Sequence, residues 1–251
     1  MLLCEDVYQL LLDELRVDER GLSCEVDEFN RLARLVNQEI YTDKIRKFEE
    51  DIENIDALGE LKIHNYDIPL ITGVGTLPTD YSRIIGSPRT LDGDSVTRYA
   101  DLVTAFEHGA REEDYLTKAT LTYPTFMIGG VNADSHMQIR VTPSTITDIW
   151  IDYIKELSVP FLDYYINDTT LVYGFFSETG DLQSVPVGST YRDGTAGTGV
   201  ATITSLTNNF DWGEDELSLL ITKLVNRVAK QLPDELLLQA SNREQDKSDA
   251  Q

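Results

Sequence analysis

The stretch that most constrains this chain runs from His136 to Tyr165, HMQIRVTPSTITDIWIDYIKELSVPFLDYY. Met137, Ile139 and Val141 alternate with polar residues until Pro143 interrupts them. Ile149, Ile151 and Tyr153 then alternate with Trp150, Asp152 and Ile154, and Pro160 closes the run. Period-two patterning of this kind predicts two strands, and the short Pro/Ser/Thr link predicts that they pair antiparallel. The first has one apolar face and the second has two, so an outer strand is expected beside a more central one. Phe161 to Ile166 would add a third. Nothing in the stretch is catalytic; it reads as a platform.

Helical patterning flanks this platform. Leu3, Val7, Leu10, Leu11 and Leu15 fall at helical spacing over residues 3–17, with an end expected near Gly21. Asp27 is placed to cap a second helix. Its stripe, Phe29, Leu32, Val36, Ile40, Ile45, Phe48, Ile52 and Ile55, would make a rod of roughly 40–45 Å. Beyond Leu61, short apolar runs broken by Gly73, Gly75, Pro78, Gly86, Pro88, Gly93 and Pro124 predict strands and turns. They continue through TTLVYGFF to a Gly/Thr loop between Gly188 and Val200, expected to be mobile. Helix returns at the end. Asp211 and Glu214 have capping-box spacing before a stripe of Leu217, Leu220, Ile221, Leu224, Val225 and Val228. Pro233 would start a last turn or two, ahead of a polar tail.

This order predicts an α+β fold. Helices from residues 1–60 and 206–240 would pack as a bundle, with a sandwich- or barrel-like β domain, 61–205, inserted between them. Residues 241–251 would form the polar tail, with little to bury.

The search for chemistry finds none. His64, His108 and His136 lie far apart without metal-ligand spacing, and Cys4 and Cys24 make neither a zinc site nor a disulfide framework. GTAGTGV lacks the Lys-Ser/Thr of a phosphate loop, and Asp92 and Asp94 lack the further ligands of a calcium loop. Glu112 to Asp114 and Gly213 to Glu216 suit helix starts. Asn167-Asp168-Thr169 is formally a glycosylation acceptor, but no secretory signal accompanies it. Tyr81, Tyr123, Tyr153, Tyr164, Tyr165 and Tyr173 suit packing better than sugar stacking. No catalytic, cofactor-binding or metal-binding residue is predicted, and no membrane span.

Charge narrows the partners further. With 44 acidic and 21 basic residues the chain carries −23, spread along its length. Such a surface repels phosphate backbones and is unsuited to gripping nucleic acid. It suits a wall that DNA slides past.

Several segments taken in order, however, resemble one family. They are DEFNRLARLVNQEIY, FEEDIENIDALGELK, LPTDYSRI, KATLTYPTF, QIRVTPSTITDIWIDYIKELSVP and NNFDWGEDELSLLITKLVNRVAKQLPDELLLQAS. Together they look like the head-to-tail connector, or ring, proteins of short-tailed, crAss-like bacteriophages, distantly similar to tail tubular protein A and gatekeeper adaptors. The resemblance spans about residues 5 to 240, and its most specific parts are Leu77 to Tyr81 and Val141 to Pro160. Lys155-Glu156-Leu157-Ser158 departs from it, standing where a more basic turn is expected.

What the resemblance implies is a non-enzymatic virion protein, assembled in the bacterial cytoplasm into a homo-oligomeric ring of about twelve copies. The ring would sit between the portal protein and adjacent tail rings, and the genome would pass through it without sequence-specific contact. The tyrosine-rich β region leaves a carbohydrate- or receptor-binding module of the virion as the alternative. A hydrolase using concealed acidic residues is a third and weaker reading.

Overall fold

The computed structural model describes residues 2–17, 24–50, 58–59, 61–91, 96–113, 116–178 and 182–230. The polar tail, the turn expected from Pro233, Gly21, Ile52, Ile55, Asp92, Asp94 and Asp114 lie outside the described residues. The protein is mixed α+β and divides into two compact units, Glu60–Leu157 and the discontinuous pair Met1–Gly59 with Ser158–Gln251. The residues expected to form one β domain, 61–205, therefore belong to both units.

The continuous unit consists of two four-stranded sheets. One has the order β1 (Lys62–Pro69), β8 (Asp148–Lys155), β3 (Tyr81–Leu91), β4 (Thr97–Tyr99). The other has the order β2 (Val74–Thr76), β7 (Met137–Thr142), β6 (Thr125–Val131), β5 (Asp101–Leu102). Their inner faces share one core: Ile68, Ile149, Ile151 and Tyr153 from the first sheet meet Phe126, Ile139 and Val141 from the second. Gly75, on β2, packs directly against core side chains. A Cβ there would sit 2.5 Å from Ile68 Cγ2 and 2.8 Å from Leu70 Cδ2.

The two strands read from residues 137–154 are present as β7 and β8, but they do not pair with each other. The link between them crosses from one sheet to the other and buries Ile146 in the shared core. Period two fixes which face of a strand is apolar; it says nothing about which strand lies beside it. The expectation of an outer strand fails for the same reason, because β7 lies between β2 and β6.

The remaining expected strand, β9 (Tyr164–Asn167), belongs to the other unit. It lies between β10 (Tyr173–Phe175) and β12 (Ser189–Tyr191). A hairpin of β11 (Leu182–Ser184) and β13 (Ala201–Thr204) completes the strands there. The Gly/Thr stretch expected as a mobile loop is stitched back on itself. Gly194 N–H donates to Tyr191 O at 2.8 Å, Tyr191 N–H to Thr195 O at 2.8 Å, and Gly197 N–H to Ser189 O at 2.7 Å.

Three helices accompany these strands: α1 (Cys4–Val17), α2 (Val26–Glu50) and α4 (Leu217–Ala229). Their stripes bury Val7, Leu11 and Leu15; Phe29, Leu32, Val36 and Ile40; and Leu220, Leu224 and Val228. Helix α4 packs against both α1 and α2. Glu39 on α2 takes Lys223 at 2.5 Å and Arg227 at 2.8 Å, and these two bonds hold its carboxyl below the usual carboxylate range. Being half-exposed, each such pair adds only about 0.2–1 kcal/mol.

The caps differ from expectation. Asp27 lies inside the first turn of α2, which begins at Val26. A 3-10 turn, Glu214–Glu216, leads into α4 with no side-chain cap. Asp211 instead accepts the backbone N–H of Ser158 at 2.7 Å. Glu112 and Glu113 end a helix, α3 (Ala105–Glu113), whereas they were expected to start one.

Candidate functional site

The histidines singled out in the sequence do not converge, and the tyrosines meet only in packing pairs. His64 Nδ1 lies 3.7 Å from Asp152, His108 Nε2 lies 2.8 Å from Thr142 Oγ1, and the backbone N–H of His136 donates to Asn132. Among the described residues no group of three or more His, Cys, Asp or Glu side chains is placed to hold a metal ion. Tyr81 and Tyr66 pack on Tyr153, and Tyr164 packs on Tyr173. Tyr153 also donates its phenol to Asp80 at 3.0 Å, which ties the Leu77–Tyr81 block to the end of β8. Burial first, and then the Asp80 carboxylate, push that phenol above its ordinary range.

The most elaborate polar site sits inside the discontinuous unit, and sequence reasoning missed it. Asp163 is fully buried, and Arg192 Nε contacts its Oδ1 at 2.8 Å. Its Oδ2 accepts the Tyr191 hydroxyl at 2.9 Å and the Leu206 N–H at 3.0 Å, and its Oδ1 also takes the Tyr164 N–H at 3.1 Å. The Arg192 guanidinium lies 5.1 Å from the centre of the Phe161 ring. With every oxygen engaged, this carboxylate is a tie between segments and has no lone pair left for a substrate.

A second tie runs along α2. Asn30 donates to Leu162 O at 3.0 Å and accepts the Leu162 N–H at 2.8 Å, replacing a missing strand neighbour. Asn37, two turns on, donates to Ser158 O at 2.9 Å and accepts Trp212 Nε1–H at 2.6 Å. The signal in the sequence was two amides seven residues apart beside an apolar stripe, where unpartnered amides would be costly.

Both cysteines are free, buried thiols. Burial raises each from its ordinary 9.0 to about 12. Both should therefore stay unreacted with a disulfide reagent at neutral pH and react at once in denaturant, as a colorimetric thiol assay would show. Because the folded chain keeps these protons longer than the unfolded chain, the associated stability is complete below pH 9.0 and is lost as pH climbs towards 12. Circular dichroism across that window should show the transition move to lower denaturant.

Among the described residues, two concavities are lined mainly by apolar side chains. One is a groove of about 730 Å³ formed by α1 and the entry to α4. Leu2, Leu3, Val7, Leu10 and Leu217 line it, with Asp6, Asp13, Glu214 and Gln9 at the same surface. Two outward leucines explain it: Leu3, just before α1, and Leu10, on α1, were read as part of the buried stripe but are 50% and 41% exposed. The other is a pocket of about 260 Å³ bounded by Leu91, Leu121, Thr145, Ile146, Thr147, Asp148 and Trp150. Neither contains a histidine, cysteine or cation. Apolar floors with acidic edges suit the docking of protein segments.

Fold and surfaces together define a mixed α+β protein with apolar concavities. Among the described residues no helix is long and apolar enough to cross a membrane. No known family model matches the chain, and no curated protein matches it.

Proposed function

We propose that this protein is a structural subunit of a bacteriophage virion, one of about twelve copies in a ring of the head-to-tail connector. In this reading the helices form a bundle that carries the β-rich region as an insertion. The ring gives the genome a channel and docks the portal protein or a neighbouring tail ring. The observation that carries the reading is the leucine-lined groove of α1 and α4, edged by Asp6, Asp13 and Glu214. A concave apolar strip with one sign of charge recognises an amphipathic partner segment of the other sign. The net charge of −23 adds support, since an acidic lumen would not hold DNA.

Mass spectrometry and cryo-electron microscopy of purified virions test this directly. The protein should be present in stoichiometric amounts beside the portal, and its absence from virions would refute the proposal.

A glycan- or receptor-binding role has one observation in its favour. Trp150, half-buried beside Asp148, Thr145 and Thr147, offers a ring face with hydroxyls and a carboxylate around it. Saturable binding of a host polysaccharide that Trp150→Ala abolishes would favour that role over the ring.

A further inference from the structure

The two tryptophans of this chain keep different company. Trp212 is buried, and Lys44 Nζ lies 5.4 Å from the centre of its ring. The same ammonium lies 2.5 Å from Glu216 Oε1, so ring, ammonium and carboxylate form a closed set within the chain. Trp150, on β8, is half-buried and has only part of such a set. Among the described residues no lysine or arginine lies over its ring. Arg89, its neighbour in register on β3, is drawn instead to Asp152 at 2.7 Å.

The carboxylate of the set is in place. Asp148 stands two residues from Trp150 on the same face of β8, and both line the pocket of about 260 Å³. Thr147 Oγ1 donates to Asp148 Oδ2 at 2.6 Å, and among the described residues Oδ1 has no donor. The exposed hydroxyls of Thr145 and Thr147 add acceptors, while Leu91 and Leu121 supply aliphatic wall. The pocket is smaller than the roughly 300–1,000 Å³ of sites for drug-sized ligands, so its scale is that of one side chain.

Charge gives the sign of the occupant. On the outer face of this sheet Asp67, in register with Trp150, joins Asp148 and Asp152 against Arg89. Lys118 is the one further cation on the segment that brings Leu121, and Asp92 and Asp94, which follow Leu91 in the chain, add to the negative side. Arg98 is in register with the buried Thr90 and so belongs to the opposite face. The surroundings are net acidic, on a chain of −23.

We propose that this pocket receives an alkylammonium group, the side chain of a lysine on a partner protein. The four-carbon stem lies along Leu91 and Leu121, and the ammonium sits between the Trp150 ring and Asp148, as Lys44 does between Trp212 and Glu216. Three N–H donors meet Asp148 Oδ1 and the two threonine hydroxyls. A quaternary ammonium has no such donors, and an arginine fork needs two free carboxylate oxygens where one is available. A sugar on the same ring makes no use of the charge. The pocket lies within residues 60–157, so its ligand is independent of the ring reading, which rests on the groove of α1 and α4.

Titration of the full chain with Nα-acetyl-lysine methylamide, at fixed ionic strength, tests this by following the two indole N–H signals by NMR. The Trp150 signal, assigned by its loss in Trp150→Phe, should shift saturably with a Kd on the order of 1–10 mM. The Trp212 signal, held by Asn37, should stay in place. The norleucine analogue, choline and methyl glucoside should each bind at least about tenfold more weakly. Asp148→Asn should weaken the lysine probe by at least about tenfold with an unchanged thermal transition. Asp134→Asn, an exposed carboxylate in the same unit, should bind like wild type. No shift with the lysine probe up to about 50 mM, an equal shift with norleucine, tighter binding of choline or the glucoside, or an unaffected Asp148→Asn would each overturn the proposal. Absence of the protein from virions would remove the ring and leave this result standing.

Discussion

Ile151→Asp is expected to unfold residues 60–157. Ile151 is fully buried between the two sheets, on the strand β8 that β1 and β3 flank. An aspartate there must either keep its charge in an apolar core or take up a proton, and no partner is within its reach among Ile68, Phe126, Ile139 and Ile149. The cost is at least about 4 kcal/mol, a large fraction of what a domain of this size has to lose. Loss of the near-ultraviolet circular dichroism of the tyrosines around Tyr153, or aggregation on expression, would report it. A variant with native spectra and an unchanged urea midpoint would show that the shared core is wrongly assigned.

The second large effect is expected at Asp163. Replacing it by asparagine keeps the shape but leaves Arg192 without its counter-charge, and turns one of its two oxygens, each of which accepts a backbone N–H, into a donor. Removing one member of a buried pair costs about 3–5 kcal/mol; because Arg192 is about a third exposed, roughly 2–4 kcal/mol is the better expectation. Urea denaturation should show the midpoint fall with little change in slope. Arg192→Met in the same background should cost much less than it does alone, since the two side chains act as one unit. Independent, additive effects would rule out the tie.

These two sites differ in how far the sequence foretold them. Ile151 was legible as a central, two-faced strand position, because alternation over residues 149–154 is a local property. Its neighbours were not. Consecutive strands pair more often than not, but the five-residue link from Thr142 to Asp148 changes sheets, and only the three-dimensional core around Ile146 shows why. The stripes of α1, α2 and α4 were likewise legible from spacing, apart from Leu3 and Leu10, which helical periodicity places near the core edge but cannot expose. Helix α3 escaped notice because it buries almost nothing, so it has no apolar period to read. Its signal was the Thr104-x-x-Glu107 cap.

The partners of Asp163, Asn30 and Asn37 were illegible for a different reason. A buried polar residue looks like any surface one until its partners are known, and here Asn30 lies 132 residues from Leu162 and Asn37 lies 175 from Trp212. Cooperation over such separations is a property of the closed chain alone.

That separation has a consequence for how the protein is made. Residues 60–157 are contiguous and can fold as soon as they are synthesised, but the unit begun by α1 and α2 stays unfinished until α4 arrives. From the end of α2 to the end of α4 the ribosome must add nearly 180 residues, which at 5–20 residues per second takes roughly 10–35 s. Throughout that interval α2 has no α4 to pack against. The elements synthesised before the continuous unit are therefore completed after it, and it is on nascent chains, more than on the finished protein, that a chaperone would find its substrate.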